Sequence, residues 1–165
     1  MIPPRLKAFA IAQATGRHVL TILWVASGAA KLFALKTFET ILSNHGVLSD
    51  RAIDLAWIVP VIELTLGILV FGSRGPRLAH VRRAAAVAST VLLIIFCIYI
   101  AQVPADIFRT VGCGCQGAFG LTDLVGSPSR AGAVAINSVF IAASVLLWPS
   151  IKPAPASPAL THPQA

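Results

Sequence analysis

Long apolar stretches separated by short polar ones set the pattern of this chain, and four of them, about residues 19–36, 53–71, 84–103 and 131–149, are apolar around the whole helical circumference. Each reaches the roughly 20 residues that a helix needs to cross a hydrocarbon core about 30 Å thick. No polar stripe at 3.6-residue spacing divides a wet face from a dry one, which excludes the surface helices of a soluble protein. The strict alternation of a membrane barrel is missing too, so backbone groups in lipid must be satisfied within helices. The pattern predicts an all-α integral membrane four-helix bundle over residues 19–149, with the lipid bilayer as its main partner.

The flanks read differently. Residues 1–18 form an arm in which Arg5 and Lys7 precede a short apolar run over 8–12, with Pro3 and Pro4 ahead of it. That run is too brief for a cleaved export signal, and the first long apolar stretch carries Lys31 where a cleavage site would need small residues. Residues 150–165 hold four prolines from position 153 on and little bulk, and are expected to form a disordered tail.

Composition sharpens this picture. Only 12% of the 165 residues are charged and 56% are hydrophobic, against roughly 25% charged in soluble proteins. The net charge of +7 does not point to nucleic acid, because aromatic residues make up 7% and no basic stripe is interleaved with them. The Lys and Arg positions carry orientation instead. They gather in the N-terminal arm (Arg5, Lys7, Arg17), the second connection (Arg74, Arg77, Arg82, Arg83) and the tail (Lys152). In the first and third connections, Lys36 and Arg51 are balanced by Glu39 and Asp50, and Arg109 and Arg130 by Asp106 and Asp123. Basic residues stay on the cytoplasmic side, so both termini are expected there, with the first and third connections on the outer, periplasmic face of a bacterial inner membrane.

Candidate chemistry sits in that third connection, about 104–130, which exceeds the length of ordinary linkers and contains Gly112-Cys113-Gly114-Cys115-Gln116-Gly117. Two thiols flanking one glycine on an oxidising side can close a small strained disulfide ring, and strain favours a bond that exchanges. Three readings stay open: redox exchange by Cys113 and Cys115, a structural bond that pins the loop, and metal binding. Metal is the weakest, since a closed zinc site takes four ligands and the loop contains no His. Cys97, six residues below the outer end of the third helix, is either a partner for a mixed disulfide or a small apolar packing residue, the second being favoured.

Lys31 and Glu63 are the other outliers, because a charge near the bilayer centre costs roughly 2.5–3.5 kcal/mol on insertion scales. Counted from the helix ends, the two lie at nearly the same depth, so an intramembrane ion pair between the first two helices is expected. Fixing helix register, moving a proton and holding a quinone head group are its open roles; no cofactor beyond that quinone is indicated. Pro60 in the same helix as Glu63 is expected to kink it. Ser27, Gly28 and Gly67 would let helices approach closely, and Asn137 with Ser138 would hydrogen-bond between helices.

Taken together, Ser27-Gly28-Ala29-Ala30-Lys31-Leu32, Pro60-Val61-Ile62-Glu63-Leu64 with Gly67, and Cys113-Gly114-Cys115 resemble the methylamine utilisation protein MauE family, within the wider DoxX-like group of four-helix membrane proteins. The likeness runs from about His18 to Trp148. It departs at Gln116, where many members carry an aromatic residue, and at Ile136, where an Arg often precedes the Asn of the last helix. The resemblance implies a membrane factor in maturation of a periplasmic client, the disulfide-rich small subunit of methylamine dehydrogenase, working with a periplasmic thioredoxin-like protein. The competing reading is a noncatalytic assembly factor or DoxX-like subunit with structural cysteines.

Overall fold

The computed structural model describes residues 4–73, 76–112 and 129–148. Cys113, Gly114, Cys115 and Gln116, as well as Arg74, Asp123 and the tail from 149 on, lie outside the described residues. Everything regular among the described residues is helical: α1 (Pro4–Phe33), α2 (Leu35–His45), α3 (Asp50–Asp54), α4 (Ile58–Gly72), a 3-10 turn (Pro76–Leu78), α5 (Ala79–Gln102), α6 (Ala105–Val111) and α7 (Arg130–Val145). The four longest apolar helices close a ring, with α1 packed mainly on α4, α5 mainly on α7, α4 on α5 and α7 back on α1.

At one end of this ring the Gln13 amide donates to the Leu146 carbonyl and the Arg82 guanidinium to the Ser73 carbonyl. The start of α1 therefore shares an end with the finish of α4, the start of α5 and the finish of α7, which follows from helices joined by short connections running up and down. Leu20, Trp24, Leu66, Val70, Leu93 and Leu147 fill the core between them. Trp24, fully buried, satisfies its one indole donor on Ser89 Oγ at 2.9 Å, a polar tie between α1 and α5.

The outward faces stay apolar: Ile22 on α1, Ile68 on α4, Ile98 on α5 and Val139 on α7 are all exposed. Large apolar patches that no protein covers mark a contact with lipid or with another protein. Of the helices, α5 is by itself long and apolar enough to cross a membrane, residues 11–33 and α2 pass the same test only as a bent pair, and α4 and α7 are shorter apolar helices.

Three boundaries differ from the sequence pattern, each for a local reason. Residues 4–18, read above as an arm, belong to α1, where Pro4 takes the first helical position that needs no backbone donor. The first helix stops at Phe33, and α2 turns away from it by 93°. Unlike its neighbours, α2 is amphipathic: Phe38, Leu42 and His45 are buried at helical spacing, while Lys36 and Glu39 pair on the opposite face at 3.1 Å. A helix with a polar face cannot continue straight into an apolar ring, and it lies across the end instead.

The expected helix over 53–71 is broken as well. Proline has no N–H and its ring clashes with the carbonyl four residues back, so a helix cannot run unbroken through Pro60. The chain closes tight turns over residues 55–57, with Ile58 N donating to Leu55 O and Val59 N to Ala56 O, and starts α4 at Ile58. Pro60 then stands in the first turn, where its missing donor costs nothing.

Gly28 and Gly67 set the distance between α1 and α4. A β-carbon on Gly28 would stand 2.9 Å from the Pro60 carbonyl oxygen and 3.1 Å from the Leu64 backbone nitrogen; one on Gly67 would stand 2.7 Å from a Val25 methyl. Gly28→Ala meets backbone that cannot swing aside, and is expected to lower stability by about 1–3 kcal/mol. Gly72→Ala faces open space and serves as the control, expected to stay within about 0.5 kcal/mol of wild type. Thermal melting in detergent separates the two; equal melting temperatures would show that the α1–α4 approach does not depend on Gly28.

Candidate functional site

Between α1 and α4, on the side that bears α2, three polar side chains meet in an apolar setting. Lys31 Nζ lies 2.6 Å and 2.8 Å from the two carboxylate oxygens of Glu63 and 2.6 Å from Ser27 Oγ. Ser27 and Lys31 are four apart and so share one helix face, which is also the face of Gly28. On α4, Pro60, Glu63, Gly67 and Val70 form the matching buried stripe. Lys31 is 2% exposed and Glu63 not at all, so both charges depend on each other and on the serine hydroxyl. Because α1 stops at Phe33 and α4 starts at Ile58, the pair stands close beneath the bend, nearer one end of the ring than the count from helix ends had suggested.

The Lys31 ammonium also lies 5.7 Å from the centroids of both the Phe38 and the Phe96 ring. Rings at that distance attract a cation through their negative faces. These two rings with Leu42, Ile95 and Tyr99 line a half-enclosed cavity of about 180 Å³ whose wall includes Lys31 and is otherwise almost wholly apolar. The cavity thus lies between α2 and α5, next to the ion pair.

Tyr99 leads from this cavity to the chain that carries the sulfurs. Its hydroxyl is 2.7 Å from His45 Nδ1, and His45 Nε2 is 2.9 Å from the Gly112 carbonyl oxygen. A carbonyl can only accept, so Nε2 carries a proton, and in the neutral ring Nδ1 accepts from the tyrosine hydroxyl. His45 is 1% exposed and closes α2, whose last residue it is. Gly112 has φ +77°, a backbone state that favours glycine, and its peptide bond leads directly into Cys113. The returning end is tied as well: Arg130 donates from Nη1 to the Val103 carbonyl at 3.0 Å, and Ser129 caps α7 by accepting from Gly132 N.

The structure thus brings Ser27, Lys31 and Glu63 into one cluster, with Gly28, Pro60 and Gly67 forming the interface that permits it. Cys97 is half-buried on α5, and Cys113 and Cys115, with which a mixed disulfide was considered, lie outside the described residues. Asn137 is half-buried on α7 and its side chain makes no hydrogen bond to a described residue, while Ser138 donates to the Val134 carbonyl of its own helix rather than across to a neighbour. A hydroxyl four residues past a carbonyl finds it without leaving its helix. His45 and Tyr99 were absent from the sequence reading; the only signal for His45 was its place in the buried i, i+4, i+7 series after Phe38 and Leu42. Among the described residues no three His, Cys, Asp or Glu gather as a metal site would require.

Truncating either partner of the ion pair leaves the other charge buried alone. Lys31→Ala and Glu63→Ala are each expected to cost about 3–5 kcal/mol, read as loss of membrane accumulation and of thermal stability. The exchanged double variant, Lys31→Glu with Glu63→Lys, is expected to recover part of that loss; single variants that accumulate like wild type would dissolve the pairing.

Comparison with known proteins adds one match. The sequence model of the methylamine utilisation protein MauE family covers residues 9–150, which takes in every described helix apart from the first residues of α1. No curated protein and no solved structure is significantly similar to the chain. With its apolar outer faces, the match makes this a membrane protein associated with methylamine utilisation, and the chain belongs to the MauE family.

Proposed function

We propose that the protein is a multi-pass component of the bacterial inner membrane that exchanges a disulfide with a periplasmic client through Cys113 and Cys115. In this reading α1, α4, α5 and α7 are the four spans, both termini are cytoplasmic, and the loop after Gly112 is periplasmic. At 1.5 Å per residue α4 is about 22 Å long and α7 about 24 Å, short of a core about 30 Å thick. Apolar turns over residues 55–57 and 146–148 extend them, and the half-exposed Trp57 and Trp148 stand at opposite ends of the ring, where an aromatic belt belongs. Arg17, Arg77, Arg82 and Arg83 lie at the end of Trp148, the cytoplasmic side by the positive-inside rule.

The single observation that carries the chemistry is the His45 bond to the Gly112 carbonyl. A buried imidazole holds the peptide group that precedes the first sulfur, an arrangement suited to presenting a thiol in a set geometry. Making a client disulfide begins when a client thiolate attacks one sulfur of the Cys113–Cys115 disulfide and the other sulfur leaves as a thiolate; a second client thiolate then attacks the client sulfur of the mixed disulfide, forming the client disulfide and releasing the reduced pair. In this reading the client is the disulfide-rich subunit of methylamine dehydrogenase, met together with a periplasmic thioredoxin-like partner. A noncatalytic assembly factor would carry the same cysteines without cycling them.

Cys113→Ser and Cys115→Ser are each expected to abolish client disulfide formation in membranes, and one of them to trap a mixed disulfide with the client. Unchanged formation in both variants would leave the assembly reading in its place. His45→Phe is expected to slow exchange about tenfold, the equivalent of one lost bond of about 1.4 kcal/mol, and His45→Gln, which keeps an N–H donor, less. A phosphatase reporter that is active only in the periplasm should be active when fused after Gly112; an inactive phosphatase there, with a cytoplasm-dependent reporter active at the same point, would overturn the orientation.

A further inference from the structure

Basic residues collect at one end of the ring, in helices that supply no acidic ones there. The acidic residues of the protein are Glu39, Asp50, Asp54, Glu63, Asp106 and Asp123. None of them lies in α1, in α4 beyond Glu63, in α5 or in α7, which meet at the end that carries Arg17, Arg77 and Arg82. Cations gathered at the end of an apolar ring draw anions from outside the protein, and in a membrane the nearest anions are lipid phosphates.

Two polar atoms at that end are buried and unpartnered. Arg17 Nε and Thr21 Oγ1 are closed off from the surface and hydrogen-bonded to no described residue. Thr40, Thr65 and Thr90 each donate to the carbonyl four residues back in their own helix, the ordinary partner of a helical hydroxyl, and Thr21 does not. Buried donors left unmade are costly, so two of them one turn apart on one face of α1 point to an acceptor that the protein does not itself supply.

The neighbouring helices bring a second guanidinium to the same place. Gly28 stands against Leu64 and Val25 against Gly67, which sets α1 and α4 in one antiparallel register. Carried back along α1, that register brings Thr21 level with the last turn of α4 and Arg17 with the chain just beyond Ser73. Arg82 of α5 reaches this point too, donating to the Ser73 carbonyl. Arg17 and Arg82 thus flank the end of α4.

From Thr21 an apolar groove of about 580 Å³ runs along the outer face of α1 to Ala34. Ala26 and Ala29 are small and leave room between Ile22 and Phe33, which are 67% and 92% exposed. At 1.5 Å per residue the groove is about 20 Å long, more than the roughly 15 Å that half of a 30 Å hydrocarbon core gives an acyl chain. A free phosphate ion uses only the head of such a groove, whereas a phospholipid uses all of it.

We infer that Arg17 and Thr21 bind the phosphate of an anionic phospholipid, one acyl chain of which lies in the groove along α1. A guanidinium offers Nε–H and an Nη–H side by side to two phosphate oxygens, and a threonine hydroxyl donates a further bond. Arg82 adds a second positive charge beside them. A zwitterionic head group brings its own ammonium among these arginines and is disfavoured; phosphatidylglycerol brings none. The site is independent of thiol exchange.

The test is native mass spectrometry of the full chain in detergent, titrated with dioleoyl phosphatidylglycerol or with phosphatidylcholine of the same chains. The first phosphatidylglycerol is expected to bind at least about tenfold tighter than the first phosphatidylcholine. Arg17→Gln should erase that preference, and Arg77→Gln, which removes an equal charge from an exposed position, should keep most of it. Ala29→Phe fills the groove and should weaken phosphatidylglycerol at least about tenfold with Arg17 in place. Glycerol 3-phosphate, a head group without chains, should leave the bound lipid in place at equal concentration.

Equal affinity for the two lipids, or a preference that survives Arg17→Gln, overturns the inference. So do equal losses from Arg17→Gln and Arg77→Gln, which mean diffuse attraction to a charged surface. Displacement by glycerol 3-phosphate, or binding that ignores Ala29→Phe, removes the acyl-chain groove and with it the lipid. The wild-type comparison and Ala29→Phe decide the matter even where Arg17→Gln does not fold.

Discussion

Two opposite charges sealed between helices impose more on this fold than any apolar contact does. Either charge alone would cost several kcal/mol in an apolar interior, and the attraction between them repays that cost only at hydrogen-bonding distance. Lys31 and Glu63 meet that demand with contacts of 2.6 Å and 2.8 Å, and Ser27 adds a third oxygen to the ammonium. The helices must therefore touch at one register. Gly28 and Gly67 supply the closeness, each on the helix opposite to a residue whose backbone lies against it. Dispersion between apolar surfaces holds helices together at many registers; this cluster selects one.

Just above the pair, the chain changes character. The apolar helix α1 ends and the amphipathic α2 lies across the end of the ring, putting Phe38 and Leu42 down onto the core and Lys36 and Glu39 up and away from it. That turn creates the cavity, since α2 roofs a space beside α5 that a straight helix would leave open to its surroundings. It also delivers His45 to a point where it reaches Tyr99 on α5 and Gly112 at the close of α6. Three elements far apart in sequence are tied by one imidazole.

Membrane proteins of this size have few polar groups to spend on anything but function or register, and here the polar groups are concentrated at one end. Trp24 bound to Ser89 lies near mid-height, and the opposite end carries Arg82 bound to Ser73 together with Arg77 and Arg83. The ion pair, the cavity, the His45–Tyr99 contact and both ties of the third connection, Gly112 to His45 and Arg130 to Val103, lie at the other. Under the orientation proposed above, this asymmetry puts the organised end on the outer side.

Much of this was readable without coordinates. Apolar runs of helical length identify helices because only intrasegment bonding satisfies a backbone among apolar neighbours, and two isolated charges, Lys31 and Glu63, had to find one another for the same reason. The motif around Gly28 and the one around Glu63 also carried the family. What the tertiary structure alone decided is where these helices stop and what gathers at the break. The bend after Phe33 and the turn over residues 55–57 depend on how α2 and α3 pack over the ring, which hydropathy does not encode, although Pro60 marked one of them. His45 and Tyr99 look like ordinary residues in sequence because their partners stand 54 and 67 positions from His45. A cavity leaves still less trace: it is space between side chains, and residues that line it, such as Phe96 and Leu42, read in sequence as any other buried apolar residue does.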